Sequence, residues 1–405
     1  MRVIRFLILL SSVLAVITSC ENAKTIKSDI QSAGLSMQAS GRLDSTTVNV
    51  WLNPVENHHF IITGQGWESN VFSKPFQRLP ASAKESVRAA VWNLAEESAG
   101  ISINFTSNAS DITVRYGVDR PLQLNHMPAT GVSGLDMYAY DGDMNPVWLR
   151  SKRTFKDTIE YEFNELSGLP ENGDGFKRFQ LYLPLYNTVK WMEIKCKNGG
   201  LADPIGFENK PIVVYGGSKS QGAVASRPGM AWTSILQRAI NVPIVNLGFS
   251  GNSKMEYELV ELVSQIDASM YVVDCLGNMI NETEFPDSVL ADRIRHTYTG
   301  LRQAHADIPI LFSQHPGLGD EGYAPTAKQV IDRVNHIMTT VIAELQREGA
   351  TRLYMISKEE QRLCPECTVD GTHPADLGMI GFAAGYEEVV RNIFREIGGV
   401  ALKPE

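Results

Sequence analysis

The chain has 405 residues, of which 43% are hydrophobic and 20% charged, and a formal net charge of -9. That length exceeds one comfortable core and predicts two domains, while that composition excludes a disordered chain. The acidic excess is spread along the sequence and leaves no basic face, which excludes a nucleic-acid partner.

At the N-terminus, Arg2 and Arg5 precede an apolar run, Phe6 to Ile17, that is too short to span a bilayer comfortably. The run closes with Ile17-Thr18-Ser19-Cys20. This resembles the lipobox of bacterial lipoproteins. The resemblance implies a signal peptide over residues 1–19, lipidation of Cys20, and an exported protein anchored in the bacterial envelope, at the periplasm or cell surface. Residues 20–43 are mainly polar and read as a tether.

Residues 44–206 read mainly as strands. Val48-Asn-Val-Trp-Leu, His59-Phe-Ile-Ile-Thr, Ile101-Ser-Ile-Asn-Phe and Asp111-Ile-Thr-Val-Arg-Tyr carry β-branched and aromatic residues, partly in alternation. Thr158–Phe163, Phe179–Leu183 and Val189–Ile194 continue the series between Gly, Asn and Pro turns. One helix interrupts it. Ser82 and Glu85 form a capping-box pattern, with Val87, Ala90, Val91 and Leu94 on one face before Gly100. Many short strands predict a β-sandwich or jelly roll.

From residue 207 the pattern becomes strand–helix alternation. Strands are expected at Ile212–Tyr215, Ile244–Leu247, Met270–Leu276, Ile308–Ser313 and Arg352–Ile356. Ser253 and Glu256 form a second capping box ahead of Leu259, Leu262, Val263 and Ile266. Pro325 opens a helix with the stripe Val330, Val334, Ile337, Val341 and Leu345, and a last helix follows Pro374 as far as Gly398. Apolar strands separated by helices predict a parallel sheet covered on both faces, a three-layer α/β/α domain over residues 207–405. The boundary falls near residues 199–209.

In such a sheet the loops leaving the carboxyl ends of the strands gather at one rim. Gly216-Gly217-Ser218, Asn246–Asn252, Leu276–Met279 and Asp370-Gly-Thr-His373 all fall on such loops. Serine needs a base to take its proton, histidine is the usual one, and an aspartate fixes the imidazole's tautomer and orientation. Peptide N–H groups at a glycine turn and a side-chain amide can bind an oxyanion. His315, in Phe312-Ser-Gln-His315-Pro316, is a competing base that also follows a strand. Cys364-Pro-Glu-Cys367 stands just before Asp370 and could clamp that loop; it lacks the second ligand pair a zinc site needs. Cys275 lies in an apolar run and reads as buried.

These blocks together resemble the SGNH (GDSL-type) hydrolase superfamily. Gly216-Gly217-Ser218-Lys219-Ser220-Gln221-Gly222 is similar to its first block with glycine for aspartate. Gly251 and Asn278 match the second and third blocks, and Asp370 and His373 the last; Met279 stands where many members have aspartate. The resemblance implies a flavodoxin-like SGNH domain, a Ser218–His373–Asp370 triad, and oxyanion donors at Ser218 N–H, Gly251 N–H and the Asn278 amide. Ala225–Trp232, Asn246–Asn252 and Gly134-Leu-Asp136-Met-Tyr138 resemble a two-domain branch whose β-domain carries a Gly-x-Asp-Leu-Tyr motif. His315, Gln221, Arg227 and Asp136 are the candidate substrate contacts.

The expected activity is a serine ester hydrolase acting through an acyl-enzyme, without metal or organic cofactor. The expected substrate is a small ester, most of all an acetyl or other short acyl ester of a carbohydrate. The rival readings are a lysophospholipase or other lipid acyl hydrolase, and a non-catalytic glycan-binding surface lipoprotein. The membrane enters only through Cys20.

Overall fold

The computed structural model describes residues 49–170 and 175–404. The expected leader, tether and Cys20 lie outside them. The described residues belong to one compact unit.

Two antiparallel sheets make the first half. One contains β1 (Phe60–Thr63), β2 (Ser102–Ser107), β4 (Asp136–Tyr140), β5 (Pro146–Trp148), β8 (Lys177–Tyr182) and β10 (Leu201–Ala202), in the order β1-β2-β8-β4-β5 with β10 also on β2. The other contains β3 (Asp111–Val118), β6 (Lys152–Thr154), β7 (Ile159–Phe163) and β9 (Val189–Lys197), ordered β6-β7-β3-β9. Their inner faces share one core: Ile103, Phe105, Phe179 and Leu181 from the first sheet meet Ile112, Val114, Tyr161 and Ile194 from the second. This is a sandwich, built from the period-two alternation of its strands.

The second half is a five-stranded parallel sheet of β11 (Ile212–Gly216), β12 (Ile244–Gly248), β13 (Met270–Asp274), β14 (Ile310–Ser313) and β15 (Leu353–Ile356). Its order is β12-β11-β13-β14-β15, the flavodoxin-like arrangement. Strand residues alternate between two covered faces. Val213, Tyr215, Tyr271 and Val273 pack under the helices Tyr257–Val263, Asp287–Ala304 and Pro325–Arg347. Ile212, Val214, Met270 and Val272 pack under Trp232–Ile240 and Asp376–Ile397. The architecture is therefore α/β/α, preceded by an antiparallel β half.

Three local expectations need correction. Ser82 and Glu85 do not cap the first helix. Residues Ala81–Glu85 form a 3₁₀ turn, Arg88 is extended, and the α-helix runs only Ala89–Ala95. Arg88 is held there by Glu256, Asn252 Oδ1 (2.8 Å) and Asn252 O (2.7 Å), tertiary bonds that override the local signal. Ser253 likewise caps nothing: the helix begins at Tyr257 after Glu256, and the Ser253 hydroxyl donates to Gly216 O. Among the described residues of the first expected strand, 49–52, only Leu52 pairs, as an isolated bridge with Ile194, because the chain turns at Asn53 and Pro54.

Candidate active site

Strand β11 is buried throughout and delivers the chain to the carboxyl end of the sheet, where Gly217 precedes the single turn Ser218–Gln221. Register places Gly216 beside Gly248 of β12 and Asp274 of β13. The loops after these three strands therefore open on the same rim. Gly251 follows β12 with φ +69, a left-handed conformation that glycine adopts without strain. Asn278 closes the 3₁₀ turn Leu276–Asn278 after β13.

The loop 364–374 follows β15 and is braced at several points. Cys364 and Cys367 are disulfide-bonded. Val369 N–H donates to His373 O (2.9 Å), Gly371 N–H to Thr368 Oγ1 (3.0 Å), and Gly319 N–H to Gly371 O (2.6 Å). Asp370 Oδ1 accepts the N–H groups of Thr372 (3.0 Å) and His373 (2.8 Å), an Asx-type turn that fixes the carboxylate.

That bracing turns His373 toward Ser218. His373 Nδ1 lies 2.7 Å from Asp370 Oδ2, and His373 Nε2 lies 2.9 Å from Ser218 Oγ. Asp370 accepts the Nδ1 proton, so the Nε2 lone pair faces the serine hydroxyl, which donates to it. Burial of Asp370 opposes ionisation. The hydrogen bonds from the His373 ring and from the two N–H groups outweigh it and hold the carboxyl below the usual range.

Ser218, His373, Gly217, Gly251 and Asn278 line one cleft of about 280 Å³ with Lys219, Ser250, Asp274, Gly277 and Thr372. Asn278 Oδ1 accepts Ser253 N–H (3.1 Å), which fixes the amide plane and leaves its NH₂ to the cleft. The redirected Ser253 thus sets the orientation of Asn278. The loop carrying Gly251 is set from below: Gln221 Oε1 accepts Ser250 N–H (2.9 Å), and Arg78 donates to Gly248 O (2.6 Å) and Asn246 O (3.2 Å).

The four candidate substrate contacts lie elsewhere. Gln221 is fully buried, its amide donating to Glu97 and to Leu185 O (3.2 Å). His315 is 2% exposed and absent from the cleft lining. Its Nδ1 accepts Gly317 N–H (3.1 Å), and its backbone is held by Asn335. Burial, then the charges of Lys219 and Lys358, push the imidazole well below its ordinary range, so it stays neutral. Asp136 and Arg227 pair with each other; Asp136 also accepts Gly229 N–H (3.0 Å) and Trp148 Nε1–H (2.5 Å), and Arg227 donates to Tyr138 OH (2.8 Å). The motif Gly134–Tyr138 therefore fastens the β half to the turn before Trp232. These polar groups are spent on scaffold bonds, which is why they do not reach the cleft.

Sequence reasoning passed over three groups near Ser218 or His373. Lys219 and Asp274 line the cleft, and the ring of His126 stands 6.1 Å from that of His373. Lys219 carried one readable signal, a charge directly after the candidate nucleophile; the other two carried none. Among the described residues the grouping with metal-ligand character, His58, His59 and Asp203, includes no residue of this cleft.

The family comparisons match this architecture half by half. Residues 209–391 match the GDSL-like lipase/acylhydrolase family, and residues 49–200 match the GxDLY domain, described as the N-terminus of SGNH-hydrolase-type esterases. A Bacteroides ovatus protein described as a GDSL-like lipase is 29% identical, with a TM-score of 0.76 over 85% of this chain and 98% of its own. The salicylyl-acyltransferase SsfX3 of a tetracycline biosynthetic pathway has a TM-score of 0.68 at 15% identity, over 85% of this chain and 97% of its own. A family two carbohydrate esterase from Clostridium thermocellum, solved with cellohexaose, has a TM-score of 0.53 at 14% identity, over 73% and 92%. The last two show the shared fold. No curated protein matches the chain. With both halves matched in order and the parallel sheet and β half in place, the chain belongs to the SGNH, or GDSL-like lipase/acylhydrolase, family of esterases, in its two-domain GxDLY branch.

Proposed function

We propose that this esterase removes acetyl or other short acyl groups from carbohydrates through an acyl-enzyme on Ser218. The observation that carries the reading is the unbroken relay Asp370–His373–Ser218 opening on a small cleft lined by glycines and by Ser250, Asn278 and Thr372. His373 takes the hydroxyl proton as Ser218 Oγ attacks the ester carbonyl, while Asp370 stabilises the imidazolium. The tetrahedral oxyanion is received by Ser218 N–H, Gly251 N–H and the Asn278 amide; one such donor typically lowers the barrier by about 3–4 kcal/mol. The imidazolium returns its proton to the departing alkoxide, and water then releases the acid by the same route.

The lining supports a short acyl group, because it contains no aliphatic side chain that would hold a long one. Ser250, Thr372 and Asn278 suit a hydroxyl-rich leaving group instead. A lipid-anchored, exported location through Cys20 belongs to the same proposal.

The test is acetate release from 4-nitrophenyl acetate and acetylated glycans, with octanoyl esters and Ser218→Ala alongside. We expect acetyl turnover to exceed octanoyl turnover, and Ser218→Ala to lose at least about 10⁴-fold. Full activity in Ser218→Ala, or octanoyl esters as the better substrates, would sink the proposal. Mass spectrometry of membrane fractions tests the anchor, and an unmodified Cys20 there rejects it.

A further inference from the structure

Lys219 directly follows Ser218 and is only 6% exposed, yet it lines the reaction cleft. Its Nζ approaches Gly277 so closely that a Cβ there would stand 3.4 Å away, on the same turn as Asn278. The ammonium makes no ion pair or hydrogen bond among the described residues.

The surrounding groups explain why. Asp274 Oδ2 accepts Ser220 Oγ–H (2.7 Å), and burial pushes that carboxyl up toward its neutral form, with Lys219 and Ser220 opposing. Asp370 is occupied by His373 and Thr372. His315, near Gly277, keeps a neutral ring whose Nδ1 already accepts Gly317 N–H. The other lining residues, apart from His373, are uncharged: Gly217, Ser218, Ser250, Gly251, Gly277, Asn278 and Thr372. Lys219 is thus the one Lys or Arg side chain of the cleft lining, and burial pushes its ammonium below the usual lysine range while the charges of Asp274 and Asp370 oppose that shift. Burying an ammonium without a contacting anion is unfavourable, and a low-dielectric cleft focuses its field on whatever enters. Both facts make sense if an anion arrives with the substrate.

We propose that Lys219 is a specificity residue that receives an anionic oxygen group, a carboxylate or sulfate, carried by the ester substrate close to the scissile bond. The inference rests on the esterase reading of the same cleft and refines its substrate class. The anion has two sources: the acyl group, as in a dicarboxylic half-ester, or the sugar, as in an acetylated acidic glycan.

Two matched pairs separate these sources: mono-4-nitrophenyl succinate against 4-nitrophenyl butyrate, and acetylated polyuronate against an acetylated neutral glycan. The quantity read is the ratio of kcat/KM within each pair, which cancels any general loss of activity or folded protein. Wild type is expected to prefer the anionic member of one pair. Lys219→Met should lower that ratio at least about tenfold, the scale of one charge-assisted hydrogen bond, and Lys219→Arg should retain most of it. A ratio that stays within about twofold in Lys219→Met for both pairs overturns the proposal, since a mere counter-ion of Asp274 would affect both members alike. So does a wild-type preference for the neutral member of both pairs. Wild type that hydrolyses none of the four, no faster than Ser218→Ala, rejects the esterase reading and this inference together.

Discussion

At the scale of single residues, the cleft depends on what is missing at position 217 as much as on what is present. A Cβ on Gly217 would stand 2.8 Å from Asn278 Oδ1, closer than such atoms pack. The family's first block carries aspartate there, and in this chain any side chain would push the Asn278 amide off its bond to Ser253. Because the displaced atom ends a side chain rather than the backbone, the loss should fall on chemistry. Gly217→Ala is expected to reduce kcat by about 10²-fold, the effect of losing one oxyanion donor, while thermal melts move little. Asp370 supports a second expectation. Its folded-state carboxyl lies below the usual range. The stability it contributes is therefore complete above its unfolded value near ~3.9 and is lost as pH falls through the lowered folded value. Melting temperatures of wild type and Asp370→Asn should differ at about pH 7 and converge only as pH falls below the ordinary carboxylate value of about 3.9. The gap will be small, because the Asp370 side chain is 41% exposed and solvent screens it.

At the scale of elements, the rigidity of the site resides in loops rather than in strands. The segment 364–374 supplies both Asp370 and His373, and the Cys364–Cys367 disulfide closes its near end. Such a short closure adds little to global stability, since loop-closure entropy grows only with loop length. Its effect should appear in alignment. Reduction, or Cys364→Ser, is expected to lower kcat/KM several-fold, and by up to about 10²-fold if His373 drifts by an ångström, with little change in melting temperature. A reductant titration compared between wild type and Cys364→Ser checks this, because only wild type should respond. The elements also show where local sequence signals mislead. Ser82 and Ser253 both begin capping-box patterns, but the tertiary bonds of Arg88 to Asn252 and of Ser253 to Asn278 delay the α-helices until residues 89 and 257. The helix Asp287–Ala304 was passed over in the sequence, although its buried Leu290, Ile294, Tyr298 and Leu301 recur at helical spacing with Thr297 the one polar residue among them.

At the scale of the whole molecule, the β half does more than sit before the α/β half. Leu79, Ala83, Val91 and Trp92 belong to the apolar layer beneath one face of the parallel sheet, beside Tyr215 and Phe249. Arg78, fully buried and pushed down to about 10 by that burial, donates to carbonyls of both halves: Glu97 and Leu94 on one side, Asn246 and Gly248 on the other. Residues 207–405 expressed alone would expose this layer. Three large apolar side chains at roughly 1.5–3 kcal/mol each amount to much of a domain's net stability. The isolated segment should therefore be insoluble or bind ANS and melt without cooperativity, whereas the full chain gives one transition.

How much was legible in advance follows from the range over which each signal acts. Period-two and 3.6-residue patterns are local, so the five parallel strands, the helices after Pro325 and Pro374, and the two-part organisation could be read from neighbouring residues. Gly216-Gly217-Ser218 and Asp370–His373 could be read as well, because a turn after a buried strand already points to the sheet's rim. Only the folded chain decided that atoms 155 positions apart, His373 Nε2 and Ser218 Oγ, meet at 2.9 Å. It also decided that Asp136, Arg227 and Gln221 bind the scaffold, that His126 comes near His373, and that Lys219 is buried in the cleft. A residue's type follows from the sequence, but the direction of its side chain and the partners that claim its polar atoms depend on packing between distant segments.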